Sequence, residues 1–503
     1  MIVSEELFKK SLSKLFRAGM PSKVAVALSG GPDSMLLTWL LQNQKRQMKN
    51  LDIYAITIDH KYRSGSHEEA KKVHQWIKDW DVLHIIKSLE YKDNIDPKKL
   101  TNFEEVAREE RYRVMSQICF KESIPVLFMG HHRDDQLETF IQRLQGNSSI
   151  FGLAGTRSVS PVPTSKDLSP NETQDKLQIQ IARPFLEFDK KDILETCNAN
   201  GIHYVTDLTN GDVGLTRRNY LRYLIGEVIP HKSGNHQGDI SASETTARND
   251  PYSLIQKTEL IKSHASCHDF ASLFENKAQK LSAYLQKNDL VKEYPQLGKL
   301  EVTLPRDCLQ GINCVVTSRY LYRILHPYST SKHYHWVYAK LERQLIPRIA
   351  NFLEKHKSGM LKMTIMNLVF EIKNNSHSDM IPIKIYRCPI VKRESSSLEK
   401  RLVVTNKWSE WELFDSRFWI RIRSKLSHYK IRIVPYFHKV HKPMIEEKLF
   451  AKFQPSQDHD TLPVFLDEST QKIIVFPTLS MISPKYDLDY QWAQKKNRFT
   501  YFE

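Results

Sequence analysis

Val24-Ala25-Val26-Ala27-Leu28, followed at once by Ser29-Gly30-Gly31-Pro32-Asp33-Ser34, decides how the first half of this chain folds. An aliphatic run ending in paired glycines and a serine reads as a buried strand, a tight loop and a helix start. Such a loop offers backbone N–H groups to an anion, and the helix behind it adds the positive end of its dipole. Asp33 puts a carboxylate where a phosphate is expected, which makes sense mainly when a divalent cation comes between them. The Gly-Lys-Ser/Thr ending of a Walker loop is missing. For the hexapeptide by itself, an ordinary strand-to-helix turn stays open.

Outward from this stretch, short apolar runs at 24–28, 52–58, 82–87 and 124–129 alternate with helical periodicity over 34–48, 66–80 and 102–120. That alternation predicts an α/β domain over 1–230 with a doubly wound, Rossmann-like parallel sheet, whose ligands bind at the carboxyl ends of the strands. Residues 1–20 alternate apolar and basic positions, so an amphipathic helix is expected, either packed on the domain or used for targeting. Residues 161–178 read as an exposed polar loop and 231–251 as a polar linker rich in turn formers. Residues 252–360 look mainly helical. From 361 to 503, β-rich runs such as Met363–Ile372 and Ile431–Phe437 predict a small, basic, β-rich or α+β C-terminal domain.

Three further segments carry chemistry-bearing residues. His131-His132-Arg133-Asp134-Asp135-Gln136-Leu137-Glu138-Thr139 follows the apolar run Val126–Met129 and Gly130, at another carboxyl end of the same sheet. Asp135 and Glu138 are three apart and share a helix face, suiting a magnesium site and an amine pocket. Helix capping by Asp134 and Asp135 is the structural alternative. Glu104 to Tyr112 is a charged helix whose i,i+4 pairs ordinarily mean a solvated face. Arg217-Arg218-Asn219-Tyr220-Leu221-Arg222 is a basic cluster at a helix start, suited to phosphate oxygens or simply a surface patch.

Together these segments resemble the tRNA(Ile)-lysidine synthetases, a family of the N-type ATP pyrophosphatases. The resemblance rests on SGGPDS (29–34), Asp59-His60 with Arg63, E-x-x-A-R-x-x-R-Y (104–112) and H-x-x-D-D-Q-x-E-T (131–139). It continues through Arg183-Pro184-Phe185-Leu186, D-x-T-N (207–210) and R-N-x-L-R (218–222), and more faintly at Phe414–Phe418 and 462–482. Lys61-Tyr62 departs from the family's usual Gly-Leu. The spacing from Asn210 to Arg218 is one residue longer than usual, which makes Arg217 the alternative to Arg218.

The resemblance implies conversion of the wobble cytidine of a CAU-anticodon isoleucine tRNA to lysidine, with ATP, Mg²⁺ and free L-lysine. ATP binding falls to Ser29, Gly30, Gly31, Pro32, Asp33 and Ser34, with Asp59 and His131. Asp33 and Asp135 hold Mg²⁺, Glu138 with Arg108 takes the lysine, and Arg108 and Arg218 act with the two aspartates in catalysis. Arg417, Arg421, Arg423 and Lys425 are expected on tRNA phosphates. The rivals are tRNA thiolation on the same fold and an inactive tRNA-binding protein.

Composition agrees with a nucleic-acid partner. Residues 301–503 hold 33 Lys/Arg against 20 Asp/Glu, so the C-terminal part carries 13 of the 16 net positive charges. From Ser416 to Ile445 there are eight Lys/Arg and no acid, interleaved with Phe418, Trp419, Tyr429, Tyr436 and Phe437. The six scattered cysteines include no C-x-x-C pair and are expected as reduced thiols, not metal ligands. No run of eighteen apolar residues predicts a membrane span. The mitochondrial matrix is the expected location, with the cytoplasm as the alternative for a bacterial protein, and a homodimer is left open.

Overall fold

The computed structural model describes residues 2–48, 50–60, 65–89, 103–163, 169–170, 179–206, 217–228, 256–331, 334–375, 377–425 and 428–497. The expected linker 231–251, most of the polar loop, and Asp207–Asn210 lie outside the described residues. The chain divides into two compact units, Met1–Lys166 with Asp175–Ala271, and Asp167–Gln174 with Ser272–Glu503.

In the first unit the elements come as α1 (Glu5–Leu15), β1 (Lys23–Ala27), α2 (Pro32–Gln47), β2 (Asp52–Asp59), α3 (Ser66–Trp76) and β3 (Leu83–Ser88). There follow α4 (Phe103–Lys121), β4 (Val126–Phe128), α5 (Arg133–Gln145), β5 (Val159–Pro161) and β6 (Gln180–Ala182). The six strands order as β3-β2-β1-β4-β6-β5. All pairs are parallel except β5 with β6. Both faces of β1 are covered. Val24, Val26 and Leu28 pack with Met35, Leu36, Leu40 and Phe8, while Ala25 packs with Tyr54, Ile56, Leu127 and the α4 residues Tyr112, Met115 and Cys119. A parallel strand buried on both faces reads as an unbroken apolar run, and 24–28 is one.

The amphipathic stretch at the N-terminus is α1, and its apolar side is spent inside the domain. Phe8 meets Phe185 edge-on with ring centres 6.0 Å apart, and the Ser11 hydroxyl donates to the Pro184 carbonyl at 2.7 Å. Burying Phe8 and Leu12 contributes roughly 1.5–3 kcal/mol each.

The second unit contains antiparallel sheets. One orders as β7-β8-β11-β10-β9, from β7 (Val291–Tyr294), β8 (Lys299–Pro305), β9 (Ser358–Ile365), β10 (Leu368–Asn375) and β11 (Met380–Arg387). The stretch expected to be mainly helical carries the helices Lys257–Lys287 and Asn313–Ile324 and also two strands. Helix Lys257–Lys287 ends before β7, and Leu300, Val302 and Leu304 of β8 bury every second side chain, the strand period that a helical reading overlooks. β8 pairs with β11, so residues on both sides of position 360 share one sheet. The remaining sheets order as β12-β15-β16-β17-β18 and β13-β14-β19, with β12 (Lys400–Val404), β13 (Glu412–Phe414), β14 (Phe418–Ser424), β15 (Tyr429–Pro435), β16 (Pro463–Asp467), β17 (Lys472–Phe476), β18 (Met481–Ile482) and β19 (Leu488–Gln494).

Candidate active site at the switch point of the first sheet

In the order β3-β2-β1-β4, the chain runs from β1 to β2 on one side, and β4 lies on the other. The turns after β1 and β4 therefore meet at the carboxyl edge, where sheets of this kind bind ligands. Gly30 in the first turn has φ +85, and a side chain there would come within 2.7 Å of the Val73 Cγ2. Its glycine is required by both backbone and space. In the second turn a Cβ on Gly130 would stand 3.0 Å from the Asp33 backbone. That close approach brings the two turns together.

The loop is held by its own serines. Ser34 Oγ accepts from the Ser29 amide at 3.1 Å and donates to the Gly31 carbonyl at 3.0 Å. Pro32 opens α2 with its fixed φ, and Asp33 stands in the first turn. Asp135 stands in the first turn of α5, its Oδ2 accepting from the His132 amide at 3.0 Å. Both carboxylates face one point. The buried His132 presents its Nε2 3.7 Å from Asp33 Oδ1 and 3.5 Å from Asp135 Oδ2.

Cations surround these acids, and sequence reasoning missed most of them. Lys190, at the start of helix Lys190–Ala199, places its Nζ 2.6 Å from Asp33 Oδ1, and its amide donates to Asp134 Oδ2 at 2.7 Å. Lys257 Nζ lies 2.6 Å from Asp134 Oδ1 and 3.0 Å from Asp189 Oδ1. Burial alone pushes the Asp134 carboxyl up, yet the Lys257 ammonium and the Lys190 amide hold it below the usual carboxylate range. Burial likewise pushes Lys257 down, and Asp134 and Asp189 outweigh it, so this ammonium is held above its ordinary value. Glu138, only 2% exposed, accepts from Arg222 Nε at 2.7 Å, and Arg222 Nη2 lies 3.6 Å from Asp135 Oδ1. The signals that existed were positional: Lys190 follows the Arg-Pro-Phe-Leu segment, and Arg222 closes R-N-x-L-R. Nothing local marked Lys257.

Other expected residues stand elsewhere. Asp59 is buried at the end of β2, where it accepts from the Ser66 and Ser88 hydroxyls at 2.6 and 3.3 Å. Beside it, burial and Arg111 push His60 down to about 4, so it is neutral at physiological pH. His131 is half-buried in the turn after β4. Arg108 donates to the Tyr112 hydroxyl at 3.3 Å and lies over that ring. The side chains of Arg217 and Arg218 lie outside the described residues.

One expectation is overturned. Arg417 was expected on a phosphate, but its side chain is 1% exposed. Its Nε donates to Asp415 Oδ2 at 2.8 Å and its Nη2 to the Thr461 carbonyl at 2.9 Å. Arg387 donates to the same Asp415 oxygen at 3.1 Å. The F-D-S-R-F segment is a structural knot; its basic residue is already neutralised. The other three of this group project from the outer side of β14 or just beyond it. Arg421 lies 4.7 Å from the ring centres of both Trp408 and Trp411. Arg423 donates to Asp489 at 3.0 Å, and the exposed Lys425 lies 3.4 Å from the same carboxylate.

A glycine loop at the switch point, flanked by aspartates on two neighbouring turns, defines an ATP-binding α/β domain, and residues 4–231 match the family model of the PP-loop domain. Over 480 residues the chain is 26% identical to the probable tRNA(Ile)-lysidine synthase of Schizosaccharomyces pombe, covering 94% of each chain. It is 27% identical over 296 residues to the tRNA(Ile)-lysidine synthase of Rickettsia conorii, covering 57% of this chain and 56% of that one. Residues 4–231 are thus similar to PP-loop domains, and along nearly its whole length the chain is similar to a protein named as a probable tRNA(Ile)-lysidine synthase.

Proposed function

We propose that this chain is a carbon–nitrogen ligase that joins lysine to C2 of the wobble cytidine of a CAU-anticodon isoleucine tRNA. ATP drives the reaction, and AMP and pyrophosphate are released. The observation that carries the reading is the convergence of Asp33 and Asp135 on one nitrogen of His132, beside the anion-binding loop.

That convergence fits magnesium, which takes one or two protein carboxylates and completes its octahedron with phosphate oxygens and water. Asp33 and Asp135 would hold the ion, which supplies neutralisation of the charge growing on the α-phosphate and the pyrophosphate. The amides of loop 29–34 and the dipole of α2 cradle the pyrophosphate. Cytosine O2 attacks the α-phosphate, and pyrophosphate leaves. Glu138, buried on α5 one turn past Asp135, takes the lysine ammonium, for which the Arg222 guanidinium must give way. The lysine ε-amine, once deprotonated, attacks C2 and AMP departs. Arg218, with Arg217 as its alternative, and Arg108 steady the adenylate. In the second unit Arg421, Arg423 and Lys425 contact tRNA phosphates, Arg421 against two indole faces.

Thiolation is disfavoured by the thiols themselves. Burial pushes Cys119 up to about 12, and burial together with Asp33 pushes Cys197 up to about 11, so neither is a thiolate at neutral pH. Similarity along nearly the whole chain to a eukaryotic protein favours the mitochondrial matrix, which localisation of a tagged full-length chain tests.

The test is mass spectrometry of the wobble nucleoside after incubation with unmodified CAU-anticodon tRNA, ATP and isotopically labelled lysine. Label in that nucleoside, with AMP release dependent on tRNA, is expected. Absence of both sinks the reading.

A further inference from the structure

The Lys190–Asp33 ion pair stands inside the proposed metal position. Asp33 Oδ1 is one of the oxygens that face His132 Nε2, and the Lys190 ammonium lies 2.6 Å from that same oxygen. An ammonium in contact with that oxygen competes with a divalent cation for the same carboxylate, because two positive charges held at one acceptor repel each other. Lys190 and a metal on Asp33 therefore compete, and one of them yields to the other.

The surroundings show which. Asp134 is engaged by Lys257 and by the Lys190 amide, and Asp135 by the His132 amide. Asp33, Asp134 and Asp135 thus make an acidic mouth in which each carboxylate has a cationic or N–H partner. The Lys190 pair is the one made for exchange. Its side chains are 35% and 27% exposed, the ammonium rides on a flexible four-carbon stem, and a pair with this access to water opens more readily than a fully buried one. The Lys190 backbone amide keeps its bond to Asp134 whatever the side chain does. The anchor and the moving part are therefore separate atoms of one residue.

We propose that Lys190 is an exchangeable counter-ion: it occupies Asp33 in the nucleotide-free protein, yields that oxygen to the metal arriving with ATP, and transfers its ammonium to a phosphate oxygen of the same nucleotide. The exchange conserves charge, since the cation leaving the carboxylate meets the anion that accompanies the metal. It favours metal–nucleotide complexes over the bare metal ion, because the bare ion must displace Lys190 with no phosphate to receive it. This inference rests on the reading of Asp33 as a metal ligand.

The test uses the full-length chain with Lys190→Met and Lys190→Arg. Mn²⁺ binding is followed by electron paramagnetic resonance without nucleotide, and ATP binding by equilibrium dialysis with Mg²⁺, both without tRNA or lysine. Lys190→Met should bind bare Mn²⁺ about tenfold more tightly and ATP about tenfold more weakly. Lys190→Arg should keep both properties near those of the unaltered protein. Asp33→Asn should abolish the Mn²⁺ gain when combined with Lys190→Met. Unchanged or weaker Mn²⁺ binding by Lys190→Met overturns the proposal, and so does unchanged ATP affinity, since a merely structural lysine would not tighten metal binding when removed. Failure of the labelled-lysine assay with intact Mn²⁺ and ATP behaviour would instead count against the functional reading alone.

Discussion

Two clusters of paired charges, one in each unit, use the same groups to opposite ends. In the first unit Asp33 meets Lys190 and Asp134 meets Lys257 at a mouth where the side chains are partly exposed. In the second unit Asp415 meets Arg417 and Arg387, all of them essentially buried. The difference is access to water. A partly exposed pair costs less to open, whereas a buried pair loses several kcal/mol when one partner goes, because the other charge is stranded. Lysine suits the first role and arginine the second, since the guanidinium fork satisfies Asp415 and the Thr461 carbonyl at once.

The sharpest way to break this contrast is to neutralise an acid in each cluster. Asp33→Asn, or Asp135→Asn, should lower tRNA-dependent AMP release by about 10³ or more while leaving the melting temperature within a few degrees. A large loss of stability with either would make the first cluster structural after all. Arg417→Ala should cost about 3–5 kcal/mol of the second unit's stability, read by denaturant titration of tryptophan fluorescence. A value near zero would mean that the knot at Asp415 is dispensable.

Smaller effects sharpen the comparison. Glu138→Gln should raise the KM for lysine about 10–100-fold with little change in ATP binding, since a single charge-assisted contact is worth about 1.5–3 kcal/mol. Replacing Arg421 and Arg423 by Ala should reduce the slope of log affinity for tRNA against log salt by about one per residue, or somewhat less for Arg423, already shared with Asp489. An unaltered slope would remove this surface from the proposed RNA interface. The smallest effect concerns pH. Asp134 is held below its unfolded value, so its contribution to stability is present above about pH 4 and is lost as pH falls through the lower folded value. Asp134→Asn should therefore flatten the acid limb of the first unit's stability curve, seen by thermal melts between about pH 3 and 6.

Much of the first unit was legible locally. The strand Lys23–Ala27, its glycine turn and α2 stand where Val24–Ser34 put them, because an apolar run, a positive-φ glycine and a proline at the helix start each act within a few residues. The pairing of β8 with β11 was not legible, since it joins segments about eighty residues apart by backbone bonds that leave no mark on composition.

Arg417 and Arg421 make the same point within one basic stretch. Both are arginines of the acid-free run from Ser416 to Ile445, and by sequence they read alike. Only packing turned the first inward onto Asp415 and left the second outward between two indoles.

The order of residues thus determined the glycine turn, the acids near it and the class of chemistry proposed for them. Those depend on short-range backbone geometry and on residue type. Which cation each acid meets was decided by the tertiary structure alone. Lys190 reaches Asp33 across 157 positions of chain, and no local pattern encodes a partner that folding brings from so far away.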